Sequence, residues 1–232
     1  MTKEELRTAM ETELAWRQEE LAFMKNQLSN IDGGLLQDKY RKSLVLMLYS
    51  HFEGFVKICL LSYIQYVNSL HLKRECFNER LIASSMNREF NAFDNNDEKC
   101  SIFKKKLPED KRLHRFYRRV NFLETLEDFK AEDLMIPDET IDTESNLWYI
   151  VLQKNLYKVG LPVDLFDDFS KDIDALVNRR NSIAHGTERA GVTKNEYAKW
   201  ETKAYQVMED IIRCIYATVS HEKYLKEPIC QT

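Results

Sequence analysis

Leu44-Val45-Leu46-Met47-Leu48-Tyr49-Ser50-His51-Phe52-Glu53-Gly54-Phe55-Val56-Lys57-Ile58-Cys59-Leu60-Leu61-Ser62-Tyr63-Ile64-Gln65-Tyr66-Val67 is the greasiest stretch of the chain. Its apolar residues cover most of the circumference of a helix, yet His51, Glu53 and Lys57 interrupt it. That pattern suits the central helix of a bundle, which surrounds its polar groups with partners, better than a membrane span. A helix is therefore expected over residues 38–68.

The segment before it agrees. Residues 3–29 place Leu6, Met10, Leu14, Leu21, Met24 and Leu28 on one stripe, in steps of three, four and seven, with charges elsewhere. This is an amphipathic helix, and Asp32-Gly33-Gly34 is the turn that ends it. The two helices are expected to form a long antiparallel pair.

Bulk composition points the same way. Six Gly and four Pro in 232 residues leave little punctuation for a many-stranded β fold, so an all-α architecture is favoured. A hydrophobic content of 44% with 31% charged residues describes a globular chain. The net charge of −4 argues against wholesale coating of DNA but permits a local basic patch. Five cysteines (Cys59, Cys76, Cys100, Cys214, Cys230) without C-x-x-C spacing read as reduced thiols, with neither a disulfide framework nor a zinc site. Met1-Thr2-Lys3-Glu4-Glu5 opens an acidic helix, not the apolar run of a signal peptide, so a cytoplasmic location is expected.

Periodicity weakens over residues 69–142. Helices are expected near 78–90 and 113–130, separated by a polar stretch at 91–100. Lys104, Lys105, Lys106, Lys111, Arg112, Arg115, Arg118 and Arg119 gather positive charge here, with Phe103, Phe116 and Tyr117 interleaved. A solvated charged face is the plain explanation. Contacts to an RNA backbone through Lys104–Lys106, Arg115, Arg118 and Arg119 are the alternative. The region reads as a helical insertion at 71–142, packed on the core or projecting from it. Beyond Pro137, helices are expected at 143–159, 165–184 and 195–219, with 223–232 as a loose tail.

Chemistry concentrates in Arg179-Arg180-Asn181-Ser182-Ile183-Ala184-His185-Gly186, at the end of the penultimate helix. Arginine can hold phosphoryl oxygens as charge builds on them, and imidazole moves protons near neutral pH. These are the parts needed for cleavage of RNA by its own 2′-hydroxyl without a metal or other cofactor. Arg180 and His185 are five residues apart, which separates them by about 140° on a straight helix. They can share a phosphate only if the helix unwinds at Gly186 so that His185 swings back, or if two copies meet across a twofold axis. The plainer role for His185 is to cap a helix C-terminus. Ser182 lacks the G-x-S-x-G surroundings of a hydrolase nucleophile.

The motif from Leu176 to Gly186, with its core Arg180-Asn181-Ser182-Ile183-Ala184-His185-Gly186, resembles the R-x(4–6)-H signature of the HEPN superfamily. His51-Phe52-Glu53-Gly54-Phe55 resembles the H-x-E-G-F helix of its prokaryotic RiboL-PSP-type branch. The resemblance covers roughly residues 36–70 and 143–220. It implies a homodimeric helical bundle of four to five core helices with endoribonuclease activity, of the kind found in defence and toxin–antitoxin loci. Arg180 and His185 match the catalytic pair, Asn181 its polar neighbour, and Glu53 the acidic position of the first core helix. Lys57, one turn on, is the expected partner of Glu53, with Arg180 or His185 as the other choice. Arg179 and Ser182 are supporting neighbours. His51 is expected in the core or at an interface.

Three functions stay open on this reading: an RNA-cleaving effector, a non-catalytic nucleotide-binding or dimerisation module, and a helical adaptor whose first helix docks on an antitoxin or another defence protein.

Overall fold

The structure, a computed structural model, describes residues 1–187 and 189–226. Among them are eight α-helices and no strand: α1 (Lys3–Asn26), α2 (Gly34–Asn68), α3 (Glu79–Ser85), α4 (Asn87–Asp94), α5 (Lys111–Ala131), α6 (Tyr149–Lys158), α7 (Ser170–Ala184) and α8 (Lys194–Ser220).

α2 is the axis of the fold, with α1, α7 and α8 packed on it and α1 also touching α8. By length and composition it could cross a bilayer, but 56% of its apolar window is buried inside the protein. Tyr49, Phe52, Phe55, Val56 and Tyr63 are fully covered. Leu6, Met10, Leu14 and Leu21 supply the matching stripe of α1. The pair is antiparallel. Met1 reaches Ser69, Arg17 meets His51, and the Tyr40 hydroxyl donates to the Met24 carbonyl.

α8 and α1 both begin with a capping box, Thr193 with Glu196 and Thr2 with Glu5. Each satisfies two N-terminal amides that the helix itself leaves without a partner. α8 turns Tyr197, Met208, Ile211, Ile212 and Ile215 inward, while Trp200 and Tyr205 are partly buried.

Three expectations are corrected. The helix expected over 78–90 breaks at Met86, where Arg74 donates to the hydroxyl and the carbonyl oxygen of Ser85 and so competes for helix hydrogen bonds. The helix expected from 143 begins only at Tyr149. The fully buried Asn155 clasps the backbone of Asp142 through both its amide atoms, and Glu144 and Ser145 then adopt left-handed φ of 50° and 64°. α6 accordingly takes its N-terminal cap from another helix: the Tyr149 amide donates to Asp174 of α7 at 2.8 Å. Finally, the start of the expected tail is packed. Tyr224 and Leu225 are buried, and Lys226 donates to the Cys76 carbonyl. The remainder of that tail, 227–232 with Cys230, lies outside the described residues.

The middle region packs on the rest instead of projecting from it. α3 lies against α6, and the buried Arg74 joins Phe129 and Glu132 at the end of α5. Among the described residues Cys59, Cys76, Cys100 and Cys214 are free thiols.

Candidate active site

α7 presents Ile173, Leu176 and Val177 to the core, which leaves Arg180 on the flank that faces α2 and residue 146. Its guanidinium is held by four groups. The Tyr49 ring lies beneath it, 4.4 Å from ring centre to Cζ. Nη1 donates to Oδ1 of Asn146 at 3.1 Å and to Oδ1 of Asn181 at 2.7 Å. Oε2 of Glu53 is 4.0 Å from Nη2, close enough for attraction and too far for a hydrogen bond. A quarter of the arginine side chain, 26%, is still exposed. Both Nη1 protons are thereby used, while Nε and Nη2 keep donors for an incoming anion.

Lys57 does not pair with Glu53. It points to solvent, because position 57 falls on the outer face of α2, and the carboxylate turns inward to Arg180. Tyr49 is one turn before Glu53, and its hydroxyl accepts the Leu147 amide at 2.8 Å. Burial pushes its phenol up to about 12, with the Glu53 carboxylate adding to the rise and the Leu147 amide and Arg180 opposing it. Tyr49 therefore stays a neutral platform under the arginine.

The end of α7 is a Schellman cap. The Thr187 amide donates to the Ser182 carbonyl at 3.0 Å and the Gly186 amide to that of Ile183 at 3.1 Å, with Gly186 at φ +69°. The Thr187 hydroxyl bonds the same Ser182 carbonyl. His185 is the cap residue itself. Its amide still makes the helical bond to Asn181, at φ −84° and ψ 0°, and its side chain is exposed. The chain reverses one residue too late to swing the imidazole back toward Arg180. Unwinding at Gly186, one of the two routes open to the sequence, is not taken.

Arg179 is directed elsewhere. Nη2 donates to the Gly191 carbonyl at 3.0 Å and so pins the segment after the cap. That segment is also bonded to α2 through the Val192 amide and the Asp38 carbonyl, at 2.8 Å. Ser182 is half-buried and contributes its carbonyl to the cap.

Of the basic residues in the middle region, Arg118 is not available to RNA. It is buried and donates to the carbonyls of Phe93 and Glu98 and to the Asn96 amide oxygen. Lys104, Lys105, Lys106, Arg115 and Arg119 are exposed. Tyr49 and Asn146 complete the Arg180 site without having been expected there. Tyr49 was legible in principle, one turn from Glu53 on the same helix face. Asn146 carried no local signal, since it reaches Arg180 across 34 residues of chain.

An all-α fold whose penultimate helix ends in Arg-Asn-x-x-x-His-Gly, beside an apolar core helix that carries Glu53, defines a HEPN-type domain, a class of nuclease and nucleotide-binding modules. The chain matches the RiboL-PSP-HEPN family over residues 12–217, and it belongs to that family. The match takes in most of α1 and all of the middle region, beyond the two segments from which the motif reading began. No curated protein and no solved structure shows significant similarity to it.

Proposed function

We propose that the protein is a metal-independent endoribonuclease whose active site is completed across a homodimer interface. The ribose 2′-oxygen attacks the adjacent phosphorus, the bond to the 5′-oxygen breaks, and the products are a 2′,3′-cyclic phosphate and a 5′-hydroxyl. His185 takes the proton from the 2′-hydroxyl or returns one to the leaving oxygen. Arg180 neutralises the phosphoryl oxygens through Nε and Nη2.

The observation that carries this reading is the state of Arg180. It is pre-oriented by Tyr49, Glu53, Asn146 and Asn181, yet it keeps an exposed donor edge. His185 is exposed at the end of the same helix, where a twofold-related copy can bring a second imidazole and guanidinium to one phosphate. In this reading Glu53, Asn181, Arg179 and Ser182 support the pair, and the enzyme acts in the cytoplasm as a toxin or antiviral effector restrained by an antitoxin or another defence protein.

The test is incubation of the purified protein with labelled RNA in EDTA, comparing wild type with Arg180→Ala and His185→Ala. Cleavage that persists under chelation, leaves cyclic-phosphate ends and disappears in both variants supports the proposal. Failure of the wild type to cut any RNA overturns it. Expression of wild type is expected to arrest bacterial growth and His185→Ala to permit it.

One observation favours a second reading, a non-catalytic nucleotide-binding or interaction module. Asn146 and Asn181 already occupy Nη1, and the backbone of His185 keeps its place at the helix end, about 140° around the axis from Arg180. A protein that binds nucleotides through Arg180 and never cleaves them would establish that reading.

A further inference from the structure

α5 carries a positive face that the site around Arg180 does not use. On a helical projection of 100° per residue, Lys111, Arg115, Arg119 and Arg112 fall within an arc of about 100°, and Leu123 and Phe116 lie in the next ~40°. All four cations are exposed, and Phe116 and Leu123 are 64% and 67% exposed. The flank next to Lys111 is buried and clasps the preceding loop. Arg118 holds Phe93, Asn96 and Glu98, while Nδ1 of His114 accepts the Cys100 amide at 3.0 Å. Because Nδ1 accepts, Nε2 carries the proton and donates to the Leu107 carbonyl at 3.0 Å. These two side chains fix the loop that bears the exposed Lys104–Lys106 run against α5.

Of the acids near this face, Asp97 shares a pocket with Lys111 and Arg115, and two others are engaged. Asp110 caps α5 by accepting the Arg112 and Leu113 amides, and Glu109 lies 3.8 Å from Lys99. A protein of net charge −4 thus sets at least seven exposed cations around one helix start.

We propose that this face is a docking surface for single-stranded RNA, separate from the scissile site. The identity of the polyanion rests on the nuclease reading. The step from Lys111 to Arg115 to Arg119 advances about 6 Å each time along the helix, the scale of successive phosphates on a strand. Phe116 offers a ring on which an unpaired base can stack. A membrane-surface helix separates its apolar face from its basic one. Here Phe116 and Leu123 adjoin the arginines, and the far side of α5 exposes the acids Glu124, Glu127 and Asp128, which an anionic bilayer would repel.

The test is fluorescence polarisation of a labelled single-stranded RNA with the full chain, in a His185→Ala background so that no cleavage intervenes. Arg112→Ala/Arg115→Ala/Arg119→Ala is expected to weaken binding roughly tenfold or more and to flatten the slope of log K against log salt by about 2. Phe116→Ala is expected to weaken binding roughly tenfold at unchanged slope. These positions are exposed, so melting temperature and helicity should match the parent. Unchanged affinity and slope in the triple variant overturn the proposal, as does binding to phosphatidylserine vesicles with none to RNA. If the triple variant loses RNA while wild type never cleaves, the docking surface stands and the nuclease reading falls. If wild type cleaves and the triple variant binds as well as its parent, only the docking surface falls.

Discussion

Nη1 of Arg17 lies 3.3 Å from Nδ1 of His51 in the α1–α2 interface. A guanidinium only donates, so Nδ1 must be the acceptor and the buried imidazole is neutral, with its proton on Nε2. Nε2 faces Glu20 at 3.5 Å, and the Trp16 ring closes the site edge-on. Charging His51 would put a proton where Arg17 now donates.

Stability should therefore depend on pH through His51. Burial and the neighbouring Arg17 lower its titration below the ordinary 6.5, against weaker opposition from Glu20 and Glu13. The unfolded chain then binds a proton that the folded chain refuses, so this contribution is present above about 6.5 and is lost as pH falls from there toward the lowered folded-state value. Urea denaturation across that window is expected to show stability falling with pH, and His51→Gln should flatten the fall. An equally steep fall in the variant would assign the dependence to other groups.

Gly54 exists to admit Arg17. A Cβ at position 54 would lie 3.2 Å from Nη1 and 3.3 Å from Nη2. Arg17 cannot yield easily, because Glu13 holds it at Nε and Nη2 while His51 takes Nη1. Gly54→Ala gains about 1 kcal/mol of helix propensity. We expect overpacking to outweigh that gain and leave a net loss of about 1 kcal/mol, read as a lower melting temperature. A more stable variant would mean that Arg17 moves freely.

The partner of Glu53 can be tested by contrast. Lys57→Ala should change stability by no more than about 0.5 kcal/mol and leave cleavage intact, because Lys57 is exposed. Asn146→Ala removes one acceptor from Nη1 of Arg180 and should lower the cleavage rate on the order of tenfold without altering the fold. If Lys57→Ala proved as damaging as Asn146→Ala, the orientation of Glu53 described here would be wrong.

The cap that presents His185 admits a backbone test. Gly186 has open space around it, so Gly186→Ala should cost about 1–2 kcal/mol from the left-handed φ alone. At Gly191 a Cβ would come within 2.5 Å of the Asp38 Cβ and 2.9 Å of its backbone carbon. Gly191→Ala must therefore lift the segment after the cap off α2. It should cut cleavage more than Gly186→Ala does, in parallel denaturation and rate measurements.

The sequence by itself determined what depends on neighbours along the chain. Apolar periodicity set the stripes of α1 and α8 and the all-round burial of α2, since a helix brings residues three and four apart onto one face. The Arg180–His185 segment and Gly186 were legible for the same reason, a helix followed by a left-handed turn. Only the tertiary structure decided which partner each polar group takes. Glu53 had Lys57 within local reach and found Arg180 on another helix. Asn155 stopped the expected helix at 143 by binding a distant backbone, and that same diversion carried Asn146 to the arginine. Arg118 and Arg115 look alike in sequence, yet one staples a loop and the other faces water. Spacing along a chain specifies the face of a helix, whereas the partner of a buried charge depends on what the rest of the fold brings within a few ångströms.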